Sequence, residues 1–213
     1  FVILLSLIYA PCVAYSEWYI DELFAAVRNA DARGETPLRK LLTHDFWGNS
    51  LWDGQWTHKS YRPLVILSYA WQYRFNWEII KPQALRAFNV ALHSTNAVLL
   101  YALLRRQRAP KRWACLAAGL FAAHPTHAEN IIYLVGRADA LATHCWLLAL
   151  LSWPLPTPSR RLGYCSGSLR LLLVTLLAVI GGLCKESGFC VLFQIAVGEL
   201  LGKRPFRAAA PPL

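Results

Sequence analysis

The chain has 213 residues, of which 56% are hydrophobic and only 16% are charged, and its formal net charge is +10. This composition excludes a disordered chain and indicates a protein that lies largely in lipid. The basic residues are spread over separate short segments, whereas a nucleic-acid-binding protein would gather them in one soluble patch. The sequence starts at Phe1 and contains no methionine, which is expected of a fragment without its true N-terminus.

Apolar runs in chain order predict six membrane spans, and hence an all-α, multispanning helix bundle. They lie near residues 1–16, 84–104, 113–124, 138–154, 169–184 and 187–202. Crossing the hydrocarbon core takes about 20 residues, so some runs must include flanking residues, as the third can from "PTHAENIIYLV". Lys185 and Glu186 divide the last two runs, which are either two spans or one span and a re-entrant turn.

The distribution of charge gives these spans an orientation. The segments at 105–112, 158–170 and 202–207 fall on one side and together hold 11 Lys or Arg and no Asp or Glu. Residues 17–83 fall on the other side, with eight basic and eight acidic residues. The positive-inside rule therefore predicts that the basic loops are cytosolic and that the long loop is luminal or extracellular.

The predicted domain organisation is a first span at 1–16, a long loop at 17–83 and a bundle at 84–213. The loop is expected to be folded, with Thr36 as the N-cap of one helix, Pro37 at its first position, and a second helix that starts at Pro63. Six of the nine tryptophans fall in the loop, which indicates that it lies along the bilayer surface.

The six cysteines show no disulfide or zinc spacing and are interpreted as packing residues. Five lie in predicted spans and one in a basic loop: Cys12, Cys115, Cys145, Cys184, Cys190 and Cys165.

Charged residues from distant parts of the sequence are predicted to meet at the exoplasmic ends of the spans, because charge at a span's centre is costly. They are Asp21, Glu22, Glu129, Arg137, Asp139, Lys185 and Glu186. Taken singly, they also fit ordinary ion pairs at helix ends. His124 and His127 resemble a metal-binding pair only weakly. They fit structural hydrogen bonding or the wall of a polar cavity better.

Asp21 and Glu22 are the most informative of these residues. A carboxylate directly after the first span can reach both a lipid-borne donor and an acceptor outside the bilayer, where it can act as a general base. The alternative is a solvated acid at the start of an interfacial helix.

Five blocks occur in order: "YIDELFAAVRNADARGETPLRKLLTHDFWG", "HKSYRPL", "FNVALHSTNAVLL", "FAAHPTHAENIIYLVGRADALA" and "CKESG". In these blocks, from about residue 18 to 190, the chain resembles the transmembrane and tetratricopeptide-repeat family of O-mannosyltransferases. The family's usual acidic pair is Asp-Asp, whereas this chain has Asp21-Glu22, which is similar to the pair of the classical protein O-mannosyltransferases.

The resemblance implies a GT-C type, inverting glycosyltransferase of the endoplasmic reticulum membrane. Such enzymes transfer mannose from dolichyl phosphate mannose to Ser or Thr hydroxyls of secretory-pathway proteins, including cadherin-like acceptors, and no cofactor or metal is expected. The family's C-terminal helical repeats are absent from this sequence.

Roles for the charged residues follow as a hypothesis from the chemistry of a mannosyl phosphate donor. Asp21 is the expected base, with Glu22 as its fallback, and Arg137 and Lys185 are expected to bind phosphate. The expected positioning residues are His124, His127, Glu129, Asp139 and Glu186, with the last two orienting the cations. Arg62 is a weaker candidate for donor contact, and the favoured alternative is that it orders the loop. His93, with Asn89 and Asn96, makes a polar stripe that favours interhelical hydrogen bonds.

Two alternatives stay open at this point. One is a glycosyltransferase that uses another lipid-linked sugar or a non-protein acceptor. The other is a transporter or assembly subunit, although the inverted repeats common in transporters are not seen.

Overall fold

The computed structural model describes residues 2–52, 57–76, 81–153 and 164–200. Within these ranges the chain is helical, and an isolated bridge between His44 and Ser50 is the one piece of β-structure, so the all-α prediction is confirmed. The helices are α1 Val2–Ala14, α2 Ile20–Glu22, α3 Leu38–Leu41, α4 Pro63–Phe75, α5 Pro82–Arg106, α6 Lys111–Ala123, α7 Thr126–Ile132, α8 Arg137–Ser152, α9 Tyr164–Cys184 and α10 Cys190–Leu200.

Two helical stretches in the described ranges are long and apolar enough to cross a membrane. They are Pro82–Arg106 and Leu134–Ser152, and a shorter apolar stretch covers Ser168–Cys184. The six predicted spans all contain helix, but α1 and α6 have 13 residues each, or about 20 Å at 1.5 Å per residue. Among the described residues, length and composition thus identify two candidate spans, and six spans stay a prediction.

The third predicted span does not continue into "PTHAENIIYLV", and that prediction is wrong. α6 ends at Ala123, because His124 has an extended backbone with φ −66° and ψ 129° and Pro125 follows it. A residue before proline is disfavoured in the helical conformation. The chain restarts as the separate helix α7, which carries His127 and Glu129 at the end of the bundle.

The chain also breaks at Lys185, as the sequence indicated. α9 ends at Cys184, a 3-10 turn covers Glu186–Phe189, and α10 returns along α9. Val191 packs with Val174 and Ala178 of α9. The turn fits closely, since a Cβ on Gly188 would lie 2.2 Å from the carbonyl carbon of Gly181.

The long loop is folded and packs on the bundle. Its buried Phe46 and α4 residues share one core with Leu134, just before α8, and with Ala138 of α8. The predicted helix start at Pro63 is confirmed. Thr36 is not an N-cap, since α3 begins at Leu38 with Pro37 at the cap position and no side-chain cap bond. Of the loop tryptophans, Trp56 and Trp77 lie outside the described residues.

Candidate functional site

The predicted charged residues gather at the end of the bundle where α5 and α8 begin and α9 ends. A salt bridge joins the segment after α1 to α5, and a second ion pair joins α8 to the residue after α9. A hydrogen bond joins Asp21 to the connection between α7 and α8. These contacts bring acids and bases from distant parts of the sequence to this end of the bundle. That this end is exoplasmic stays a prediction.

Glu22 lies beneath this surface and is fully buried. Its Oε2 accepts hydrogen bonds from Arg86 at 2.9 Å and from the Tyr19 amide at 3.1 Å. Its Oε1 accepts a bond from the Leu134 amide at 2.9 Å. Both carboxylate oxygens are occupied, so Glu22 is not a free base in this conformation. We correct its expected role from fallback base to structural residue.

Arg86 is the partner of Glu22, and the sequence reasoning missed it. Its side chain is fully buried and donates to the carbonyl oxygens of Tyr15, Glu17 and Ile132 at 2.5, 2.8 and 3.0 Å. Arg86 thus ties α5 to the segment after α1 and to the end of α7. The sequence does contain an indication of this role, because an arginine near the start of an apolar span needs a buried partner.

Asp21 has the opposite environment. Its side chain is exposed, and its Oδ2 accepts a hydrogen bond from the hydroxyl of Tyr133. Burial, followed by the hydrogen bond and the charge of Asp21, raises the pKa of Tyr133 well above its usual range, so this hydroxyl stays protonated. Asp21 is therefore the acid of the pair that a ligand can reach.

Arg137 is fully buried at the start of α8. It donates to Asn89 Oδ1 at 2.8 Å, to Ser68 Oγ at 3.1 Å and to the Leu85 carbonyl at 3.0 Å. Its guanidinium also lies over the ring of Tyr69, at 4.3 Å from the centroid. These contacts give Arg137 a packing role, and in this conformation it offers no surface to a phosphate group.

Two partly exposed cations lie near the break after α9. Lys185 Nζ contacts both oxygens of Asp139, at 2.6 and 2.7 Å. Arg62 lies with a terminal nitrogen 4.0 Å from Oε2 of Glu186, and its Nε is buried with no partner among the described residues. Asp139 is thus placed to orient Lys185, as expected, whereas Glu186 faces Arg62 rather than Arg137.

The two histidines at the α6–α7 junction have different surroundings. His124 is exposed, and its Nδ1 accepts a bond from the Thr126 amide at 3.2 Å. His127 packs on Phe121, with ring centroids 4.5 Å apart, and burial together with His124 lowers its pKa. Glu129 is exposed on α7. No group of three or more potential ligands in the described ranges is arranged to hold a metal ion.

The polar stripe of α5 makes interhelical hydrogen bonds, as predicted. His93 Nε2 lies 3.1 Å from the Ala122 carbonyl, and Asn89 donates to the Ile131 carbonyl at 3.3 Å. Asn96 donates to the Ala140 carbonyl at 2.9 Å. The stripe therefore fastens α5 to its neighbours.

The chain is similar to known protein O-mannosyl-transferases. Tmtc1 of Drosophila melanogaster, a protein O-mannosyl-transferase, is 37% identical over 182 residues, which are 85% of this chain and 20% of that protein. Human TMTC4, which carries the same description, is 36% identical over 199 residues, 87% of this chain and 27% of that protein. The chain thus spans about a fifth to a quarter of the relatives it matches. No family model and no solved structure matches it.

Proposed function

We propose that this chain, which belongs to the TMTC family of protein O-mannosyl-transferases, carries the catalytic base of an inverting, GT-C type membrane enzyme. The proposed reaction transfers mannose from dolichyl phosphate mannose to Ser or Thr hydroxyls of secretory-pathway proteins, with cadherin-like domains among the possible acceptors. The loop of residues 17–83 faces the lumen of the endoplasmic reticulum in this proposal, and the positive-inside distribution of charge supports that orientation.

One observation carries the proposal: Asp21 is exposed at the end of a helix bundle that contains two helices long and apolar enough to cross a membrane, while its neighbour Glu22 is buried and fully bonded. An exposed carboxylate at the boundary of the bundle can take the proton of an acceptor hydroxyl. The hydroxyl oxygen then attacks the anomeric carbon of the sugar, and the bond from that carbon to the phosphate oxygen breaks. Asp21 is the base in this scheme, and the lipid phosphate is the leaving group.

The departing phosphate needs cationic partners. Lys185 and Arg62 are the candidates that the geometry favours, because both are partly exposed and Arg62 Nε lacks a hydrogen-bond partner among the described residues. Lys185 supplies a point charge and Arg62 a planar set of N–H donors. In this proposal Asp139 and Glu186 orient the two cations, and Glu129, His124 and His127 remain candidates for positioning the donor or acceptor.

The test uses microsomes that contain the full-length protein and follows transfer of labelled mannose from dolichyl phosphate mannose to protein. Asp21→Asn is expected to lower the transfer rate by about 100- to 10,000-fold, the usual contribution of a general base. Glu17→Gln is the matched control, since Glu17 is an exposed carboxylate four residues earlier. We expect that control to transfer at the wild-type rate.

The result separates the proposal from its alternatives. Transfer of label to a glycan or lipid, but not to protein, would indicate another acceptor class. No transfer by the wild type across a panel of acceptor proteins would overturn the proposed function. Full activity of Asp21→Asn would leave the enzyme class intact and move the base elsewhere.

A further inference from the structure

Tyr133 contacts the proposed base Asp21, but the proposed reaction assigns it no role. It follows α7 and lies 112 positions from Asp21 in sequence, yet its hydroxyl donates to Oδ2 of that carboxylate. The ring of Tyr19 packs edge-on against it, with centroids 5.9 Å apart. This contact joins the segment after α1 to the connection between α7 and α8.

The backbone around Tyr133 is held on both sides by buried groups. The preceding carbonyl, of Ile132, accepts a bond from Arg86 at 3.0 Å. The following residue, Leu134, donates its amide to Glu22 at 2.9 Å, and its carbonyl accepts a bond from Tyr69 at 2.6 Å. The Tyr133 amide itself donates to the Glu129 carbonyl at 3.0 Å. The tyrosine is therefore a fixed donor, whereas Asp21 is on the surface.

Asp21 needs such a donor if it is to act as a base. The terminal torsion of an aspartate side chain is broad, so an exposed carboxylate samples many orientations. A phenol held in place limits that rotation by occupying one oxygen. Because its proton stays on the tyrosine, as described above, Tyr133 acts as a donor and does not compete for the acceptor's proton.

We propose that Tyr133 is a positioning residue that holds Oδ2 of Asp21, so that Oδ1 receives the proton of the acceptor hydroxyl. The inference rests on the proposed function and assigns the two carboxylate oxygens different tasks. The O–H bond of the acceptor breaks as the proton moves to Oδ1. The acceptor oxygen bonds to the anomeric carbon, and the lipid phosphate leaves with the electron pair of the broken C–O bond.

The test compares Tyr133→Phe with Tyr19→Phe in the microsomal transfer assay. Both variants keep an aromatic ring in the same contact and lose one hydroxyl. Tyr133→Phe is expected to lower kcat by about 10- to 100-fold, the usual cost of a misplaced catalytic group, with KM for the donor unchanged. Tyr19→Phe is expected to transfer at the wild-type rate.

A double-mutant cycle with Asp21→Asn separates positioning from general structural support. If Tyr133 acts through Asp21, adding Tyr133→Phe to Asp21→Asn lowers the rate no further than Asp21→Asn alone. If the two losses multiply, or if Tyr133→Phe lowers Tm in proportion to its lost activity, Tyr133 is a structural residue and the inference is overturned.

The outcomes also separate the inference from the function on which it rests. An active wild type with a fully active Tyr133→Phe overturns the role of Tyr133 and leaves the mannosyltransferase standing. A wild type that transfers nothing overturns both.

Discussion

Asp21 and Glu22 are adjacent carboxylates with opposite environments. Asp21 is exposed and bonded to the hydroxyl of Tyr133, while Glu22 is fully buried and bonded to Arg86 and two backbone amides. The backbone at this point is helical, so neighbouring side chains point in different directions and one of them faces the core. A pair of acids in sequence can thus be one reactive group and one structural group.

The two residues also differ in what their loss should do. A buried ion pair is weak evidence for net stability, yet removal of one partner leaves an uncompensated charge in the interior. An exposed acid costs little in stability when it is replaced. Stability should therefore respond to Glu22 and Arg86, and activity to Asp21.

The largest predicted effect on stability follows from removing one charge of the buried pair. In Glu22→Gln the amide nitrogen must take the place of one oxygen, and both oxygens face N–H donors. Arg86→Met leaves the Glu22 carboxylate buried and unpaired. Each change is expected to cost about 3 to 5 kcal/mol of folding stability, seen as a lower Tm of the detergent-solubilised protein.

The double variant Glu22→Gln with Arg86→Met is the control for this prediction. Since it removes both charges, we expect it to be more stable than the Arg86→Met single variant. Single variants with the Tm of the wild type would contradict the structural role of the pair.

A smaller effect is predicted at Gly136, which closes the connection that carries Tyr133. A Cβ at this position would lie 2.5 Å from the Cα of Asn130, a contact that the backbone must move to relieve. Gly136→Ala is expected to cost about 1 to 3 kcal/mol, as overpacking usually does. The measurement is Tm beside that of Gly119→Ala inside α6, which should equal or exceed the wild-type value because alanine favours a helix interior over glycine. Equal Tm values for the two variants would show that the connection is not tightly packed.

The next prediction concerns catalysis and the Lys185–Asp139 pair. Lys185→Gln removes a cation from the proposed phosphate site and should lower kcat/KM for the donor by about 10- to 100-fold. Because the pair is about a third exposed, its loss should change stability by less than about 1 kcal/mol. Lys59→Gln is the control, since Lys59 is an exposed loop cation. A large drop in Tm with unchanged kcat/KM would reverse this assignment.

The smallest effect is expected at the surface pair of Arg33 and Glu35. Hydrogen bonding to Arg33 lowers the pKa of Glu35. Any stability that this pair contributes is therefore present when the pH is above the pKa of Glu35 in the unfolded chain. It is lost as the pH falls through the lowered pKa of the folded state. The Glu35 side chain is about half exposed, so Glu35→Gln should leave Tm nearly unchanged at neutral pH. A clear drop in Tm would mean that exposure is a poor guide to the role of charges in this loop.

The sequence alone predicts the helices, the folded loop and the end of the bundle where charges meet. Apolar runs indicate the helices, and the energetic cost of burying charge indicates where charged residues must lie. It did not separate Asp21 from Glu22, since their difference depends on Arg86, 64 positions from Glu22. It also assigned phosphate binding to Arg137, which the fold buries against Asn89 and Tyr69. The partners of Glu22 and Arg137 depend on how the helices pack, and the hydrophobic periodicity of the sequence does not specify that packing.

The most direct test of the division between Asp21 and Glu22 is the Tm of Asp21→Asn, measured on a preparation whose mannose transfer is also followed. We predict a Tm equal to that of the wild type together with a loss of transfer. A Tm that falls as far as that of Glu22→Gln would show that Asp21 is also a structural residue, and would contradict the assignment of these neighbours to separate tasks.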